Sequence, residues 1–221
     1  MDIRTRVLHR DPMMLVLDKP AGIPVHAGPG GKRSLEDWFA ALRFELPRSP
    51  SLAHRLDRDT SGCLVLGRHR KALRKLGRLF AAGRVEKIYW AVTHGRPALD
   101  EGRIEAPLRK KSERGAGWRM ETHAGGAAAV TDYRVLAEAD GLAWLELRPR
   151  TGRTHQVRVH CALLGCPVVG DPVYGRNPGT QAPSLHLHAR AVVIPLYPNR
   201  APIAVEAKPP PHMTGALKRL G

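Results

Sequence analysis

Two short stretches of this chain hold residue types that can do chemistry at close quarters. The first is His54-Arg55-Leu56-Asp57-Arg58-Asp59-Thr60-Ser61-Gly62. One carboxylate, Asp57, stands among three basic side chains, which favour its ionised form. An ionised carboxylate can serve as nucleophile or base. Taken alone, the stretch reads equally well as a surface turn with local salt bridges. The second stretch is Thr151-Gly152-Arg153-Thr154-His155-Gln156-Val157-Arg158-Val159-His160. Gly152 permits a sharp turn. If a helix begins here, the three- and four-residue spacings give it a polar face toward a ligand and a second face packed inward. Gly170-Asp171-Pro172-Val173-Tyr174-Gly175 then closes the segment with a turn.

Other chemistries fit poorly. Gly30-Gly31-Lys32-Arg33-Ser34 fails the phosphate-loop pattern, because position 26 is His and Arg33 follows the Lys. His155 and His160 are five apart, as are Cys161 and Cys166, and His186 alternates with His188. None of these spacings matches a zinc ribbon, finger or metallohydrolase, so no metal site is expected. No serine nucleophile elbow appears, and no Cys stands in a recognisable nucleophile context. A hydrolytic glycosidase would need an activated water and usually a second carboxylate. Asp59 is available for that, but reads better as a loop cap.

Charge narrows the partner. The 221-residue chain carries 36 Lys and Arg against 20 Asp and Glu, a formal charge of +16. Such an excess raises a positive surface field and points to a polyanion. Nucleic acid fits best. Nonspecific binding to a membrane surface or to DNA is the rival, and predicts salt-dependent binding with no preference for structured RNA. Three cysteines form no disulfide framework, the N-terminus lacks a signal-peptide run, and no apolar stretch approaches bilayer length. The expectation is a cytoplasmic protein that does not enter membranes.

Periodicity supplies the elements that must hold these stretches. Residues 13–18 read as a buried strand broken by Lys19-Pro20-Ala21-Gly22. Ser34, with Asp37 three residues on, starts a helix to about Leu46, with Trp38, Ala41, Leu42 and Leu46 on one face. Residues 62–67 are a strand. Residues 70–82 are an amphipathic helix with Leu73, Leu76, Leu79 and Phe80 inward and Arg70, Lys71, Arg74, Lys75 and Arg78 outward. That basic face is the best candidate for phosphate contacts, with a merely solvated face as the alternative. Residues 86–94 form a strand and 109–126 a mobile or hairpin segment. Strands at about 128–136 and 142–149 flank a turn at Glu138-Ala139-Asp140-Gly141. A helix runs from about His155 to Leu164, and strands return at 185–195 and 202–207. The class is α+β, with a mixed, largely antiparallel sheet and flanking helices and loops. No repeat or composition shift marks a second domain, so residues 1–221 are expected to form one.

Taken together, these segments resemble the pseudouridine synthase family that includes the RluA-type enzymes. Leu17-Asp18-Lys19-Pro20-Ala21-Gly22 looks like its first motif. His54-Arg55-Leu56-Asp57 with Thr60-Ser61-Gly62 looks like its catalytic motif. Lys87-Ile88-Tyr89 is similar to the strand with its active-site tyrosine. Gly152 to His160, with Gly165, Gly170-Asp171 and Tyr174-Gly175, looks like its third motif. Four motifs in order are far more specific than any one.

The resemblance implies isomerisation of uridine in RNA to pseudouridine, without cofactor or metal. It implies Asp57 as the essential carboxylate and leaves two routes open, attack at C1′ or removal of a ribose proton to give a glycal. Arg158 resembles the family's basic partner of that aspartate, and Tyr89 the residue stacked on the uracil. Arg55 is expected to fill the gap left by the extruded nucleotide. His54, Arg58, Arg153, His155, Gln156, Arg74, Lys75 and Arg78 are the remaining expected RNA contacts. The target is expected in a stem-loop of ribosomal RNA, transfer RNA or both. The chain looks like the compact catalytic form, without a separate N-terminal RNA-binding domain, a monomer that requires no protein partner. An RNA-binding module that has lost catalysis is the main competing reading, and the presence of Asp57, Tyr89 and Arg158 argues against it.

Overall fold

The computed structural model describes residues 1–28, 33–113, 117–176 and 183–221. The chain divides into two compact units, Met1–Lys87 with Ala189–Pro209, and Ile88–His188 with Pro210–Gly221.

In the first unit, β1 (Val7–Arg10), β2 (Met14–Lys19), β3 (Ser51–Leu52) and β4 (Ser61–Gly67) surround a central pairing of β2 with β4. That pairing is antiparallel, from Met14↔Gly67 to Lys19↔Gly62. It therefore carries the end of the first motif beside the end of the Asp57 loop. β4 is buried along its whole length, which explains why it reads as a continuous apolar run rather than an alternating one. Helix α1 (Arg70–Ala81) follows, with the His69 ring accepting the Ala72 N–H at 3.2 Å as its N-cap. Leu76 and Leu79 are buried, and join Met14, Val16, Cys63 and Val65 in one cluster.

The second unit takes most of β5 (Glu86–His94), then β6 (Glu101–Glu105), the β7 (Leu108–Glu113) and β8 (Gly117–Thr122) hairpin, β9 (Val130–Ala139) and β10 (Leu142–Pro149). Its strand order is β5-β10-β9-β6, with β7 and β8 a separate antiparallel pair. β10 alternates between buried and half-buried positions throughout, the period of a strand with one inward face. The β9–β10 turn is tighter than expected. Only Asp140 and Gly141 separate the strands, both in the left-handed region at φ 52° and 73°, the demand of a two-residue hairpin turn. Helix α2 (Gln156–Leu163) follows. From Ala189 on, β11 (Leu187–Ile194) lies in the first unit, where it pairs antiparallel with β12 (Ile203–Glu206), and α3 (Pro211–Leu220) closes the second.

The class is the expected α+β with a largely antiparallel sheet. Three differences have physical causes. The helix expected from Ser34 to Leu46 is a 3-10 helix, Leu35–Leu42. Asp37 does accept the Ser34 N–H at 3.1 Å, but left-handed Phe44 and Glu45 end the helix early. Of the expected face only Leu42 is buried, together with Leu35 and Phe39. Helix α3 was hidden behind Pro209-Pro210-Pro211, although a Pro at the first helical position is compatible with a helix start. β1 and β6 are too short to show a period. The Gly30 to Lys32 part of the rejected phosphate loop lies outside the described residues.

Candidate active site

In the first unit, the loop carrying Asp57 is held by a lysine that in sequence reads only as part of a turn and of the first motif. Lys19 is fully buried at the end of β2. Its Nζ donates to three carbonyl oxygens, Pro20 at 2.8 Å, Ile23 at 2.9 Å and Arg58 at 2.8 Å. All three ammonium donors are thus used within the fold. The Arg58 carbonyl also accepts the Gly22 N–H at 3.0 Å, and Arg58 Nε returns a bond to the Gly22 carbonyl at 3.1 Å. Gly22 makes this exchange at φ 85°, a conformation a side chain would strain. The first motif and the Asp57 loop are therefore one hydrogen-bonded unit. Burial pulls the Lys19 ammonium down to about 8, while the carboxylates of Asp59 and Asp57 oppose the fall. The signal available in sequence was a lysine at the end of an apolar strand, next to a Pro that ends its ladder.

Asp57 itself is half-buried, and its backbone carbonyl accepts the Thr60 N–H at 3.2 Å to close a turn. The Thr60 side-chain hydroxyl is buried with no hydrogen-bond partner among the described residues. Arg55 and Arg58 are exposed beside Asp57.

His54 is placed otherwise. Its Nε2 accepts the Val65 N–H at 3.0 Å, and its ring stacks on Phe80 at 4.6 Å. Burial, and then the nearby Lys87 charge, push it down to about 3. A neutral ring that ties the loop to β4 corrects the expectation of His54 as an RNA contact. On α1, Arg74 and Arg78 are exposed, and Lys75 lies over the Tyr197 ring at 5.7 Å.

Replacing Lys19 by Met is expected to cost about 3 kcal/mol, because three carbonyls lose a charged donor. Turnover should fall at least about tenfold, since the Asp57 loop loses its tether. Urea denaturation and a turnover assay check both. An unchanged urea midpoint together with normal turnover would show that Lys19 is dispensable.

In the second unit, Tyr89 on β5 stands opposite Leu147 of β10. It is half-buried, packed on the cluster containing Leu147 and Val157. Helix α2 differs from the two-faced helix expected. Gln156 through Cys161 are all buried, so it is a core helix whose polar groups are satisfied internally. Gln156 uses its whole amide. Its Oε1 accepts from the Thr151 hydroxyl at 2.7 Å and the Arg153 N–H at 3.0 Å, and its Nε2 donates to the Val130 carbonyl and Thr131 Oγ1. That corrects the expectation of Gln156 as an RNA contact. Arg153 remains exposed, with Nε on the Ala128 carbonyl.

Arg158 is 4% exposed. Its Nε and Nη2 each reach one oxygen of Asp171 at 2.7 Å, a bidentate fork that fixes the guanidinium plane. Asp171 Oδ1 also accepts the N–H groups of Val173 and Tyr174. Burial alone would raise the Asp171 carboxyl, but Arg158 and these N–H groups outweigh it and hold it below the ordinary range. Gly170 precedes Asp171 at φ 74°, and a Cβ there would lie 2.3 Å from the Pro183 carbonyl oxygen. Only glycine fits both demands. In sequence the Gly170-Asp171 and Tyr174-Gly175 pairs read as a closing turn and as part of the third motif, and nothing local marks Asp171 as the anchor of Arg158.

Comparison with known proteins identifies the family. Residues 13–163 match the family described as RNA pseudouridylate synthase. An uncharacterised RNA pseudouridine synthase of Zymomonas mobilis is 45% identical over 210 residues, 95% of each chain. The mitochondrial pseudouridylate synthase RPUSD4 of Xenopus tropicalis is 33% identical over 265 residues, covering 99% of this chain and 81% of the relative. Among solved structures, human RNA pseudouridylate synthase domain containing 4 superposes with a TM-score of 0.82 at 28% identity, over 99% of this chain and 94% of the other.

Proposed function

The chain belongs to the RNA pseudouridylate synthase family, whose members isomerise uridine in RNA to pseudouridine, and from that premise we propose that Asp57 is its catalytic carboxylate. The observation that carries this reading is the tether of its loop. A buried lysine with three carbonyl bonds and a reciprocal Gly22–Arg58 exchange fix the backbone on which a half-buried carboxylate stands. A plain surface turn needs no such anchorage. A rigid backbone lets a reactive group meet its target with little reorganisation.

The reaction breaks the N1–C1′ bond of uridine and rejoins the base through C5. Asp57 supplies the carboxylate near the ribose, by attack at C1′ or by taking a ribose proton. Tyr89 stacks on the uracil, with its phenol placed to handle the C5 proton. Arg158, its charge independent of pH and its plane fixed by Asp171, is the third member of the machinery. Arg55 fills the gap behind the extruded nucleotide. Arg58, Arg153 and His155, with Arg74, Lys75 and Arg78 on α1, serve the RNA by phosphate contact and shape. The substrates in this reading are stem-loops of ribosomal RNA, transfer RNA or both. The protein acts in the cytoplasm as a monomer without a protein partner, and both compact units belong to one catalytic domain.

The decisive experiment maps pseudouridine in total RNA from a strain lacking the gene, with and without the gene restored. At least one site in ribosomal or transfer RNA should vanish and return. Unchanged maps for both RNA classes would overturn the proposed targets.

A further inference from the structure

Trp118 on β8 is a large aromatic left 46% exposed, yet its ring is held in place. The β7–β8 register pairs Ser112 with Trp118 and Lys110 with Met120. Lys110, Trp118 and Met120 therefore share one face of the hairpin. Lys110 Nζ lies 4.8 Å from the centre of the indole, and the His155 ring stacks on it at 5.3 Å with 21° between planes. Further in, Met120 packs with Tyr174 on Leu108, Ala129 and Val159.

His155 is the residue before α2, and its backbone is left-handed at φ 53°. That conformation is uncommon for a residue with a side chain. It brings Nδ1 to 3.0 Å from the Tyr174 hydroxyl. The same hydroxyl accepts the Met120 N–H at 2.9 Å, a donor from the hairpin itself. Accepting there leaves its own proton to point at Nδ1 when the imidazole proton sits on Nε2. Tyr174 then meets the arginine twice. Its ring lies 5.2 Å from the Arg158 guanidinium carbon, and its backbone N–H binds the Asp171 carboxylate that grips the same guanidinium. The hairpin, His155, Tyr174 and Arg158 thus form one contiguous series of stacked rings and hydrogen bonds.

We propose that Trp118, His155 and Tyr174 are positioning residues: RNA engaging the Lys110–Trp118 end of the hairpin holds Tyr174, through the His155–Tyr174 hydrogen bond, against the face of the guanidinium whose edge Asp171 already fixes. The inference rests on Arg158 belonging to the catalytic machinery. Its chemical logic is that a guanidinium orients a substrate or a carboxylate only if its plane is fixed. Asp171 fixes one edge of that plane and Tyr174 one face. The ligand is a ribonucleotide strand that meets an exposed indole edge beside an ammonium group, a pairing suited to bases and phosphates.

The test uses the full chain and bulk RNA from cells lacking the gene, labelled with tritium at uridine C5. Single-turnover tritium release at saturating RNA and RNA affinity are measured separately for the wild type, Trp118→Ala, Trp118→Phe and Tyr174→Phe. Trp118→Ala is expected to weaken RNA binding and also to slow single turnover at saturating RNA about tenfold, and Tyr174→Phe to slow it about tenfold while affinity changes less than about twofold. Trp118→Phe, which restores a ring over His155, should recover most of the rate. A merely structural role would lower thermal stability and leave the saturating rate of the folded fraction unchanged. If Trp118→Ala weakens affinity and spares the saturating rate, Trp118 is an RNA contact and the relay is overturned. A wild-type rate in Tyr174→Phe also overturns it. If the wild type releases no tritium, the functional reading itself has failed, which is a different outcome from an active wild type with insensitive variants.

Discussion

Replacing Asp57 by Asn is expected to abolish turnover, by roughly a thousandfold or more, while RNA binding stays near wild type. The substitution is nearly isosteric and keeps the Thr60-to-Asp57 backbone turn, which needs no side chain. It removes only the charge and the second carboxylate oxygen. Both chemical routes need that charge, because an amide neither attacks C1′ nor removes a ribose proton. Lys19 sets how clean the experiment is. Its three carbonyl bonds hold the loop whichever residue stands at 57. Losing the Asp57 charge removes one influence that keeps Lys19 protonated, but the Asp59 carboxylate is the larger of the two. The measurement is tritium release from C5-labelled RNA, alongside a binding isotherm. Normal release by the variant would remove Asp57 from the mechanism.

The largest effect on stability is expected at Asp171. Asp171→Ala leaves Arg158 charged at 4% exposure without its carboxylate. Removing one partner of a buried ion pair costs about 3–5 kcal/mol, because the bidentate fork that offsets the burial of the Arg158 charge is lost. The Val173 and Tyr174 N–H groups lose their acceptor as well. Urea unfolding should show the loss directly. The double variant Arg158→Met with Asp171→Leu should recover much of the stability, since an apolar pair of similar volume often replaces a buried ion pair without loss. It should not recover activity if Arg158 serves the reaction. Equal urea midpoints for Asp171→Ala and the wild type would refute the argument.

The same pair gives a pH dependence with a definite sign. The folded carboxyl of Asp171 lies below its ordinary value. A group depressed on folding contributes stability that is fully present above its unfolded value, near 4. That contribution is lost as the pH falls toward the lower folded value, when the carboxyl takes up a proton and the fork to Arg158 breaks. Acid unfolding of the wild type should therefore include this loss, and the double variant should lack it.

Much of this was legible in the chain. The strands at 14–19, 61–67, 86–94 and 142–149 and the helix at 70–81 lie close to their expected places. Each is specified locally, by an apolar run or a period of 2 or 3.6 with turn residues at its ends. The family was legible for a related reason. Four motifs in order, with Asp57, Tyr89 and Arg158 at their places, are a linear signal that needs no folding to be read, and the match over residues 13–163 agrees.

The employment of polar side chains was not legible, because it depends on which groups are buried together. His54 and Gln156 looked like RNA contacts by type and by neighbourhood. Burial turned both inward, one to the Val65 N–H and the other to Thr131, Val130, Thr151 and Arg153. Lys19 looked like part of a turn and is the interior anchor of the Asp57 loop. Asp171 looked like a turn residue and holds Arg158 from thirteen positions away.

By itself, then, the sequence determined the class of fold, the family and the carboxylate worth testing, since these follow from periodicity and from residue order. Only the tertiary structure decided which basic and amide groups remain exposed and which are consumed in holding the fold. A buried polar group must find its partner inside the protein, and that partner is set by packing between segments distant in the chain.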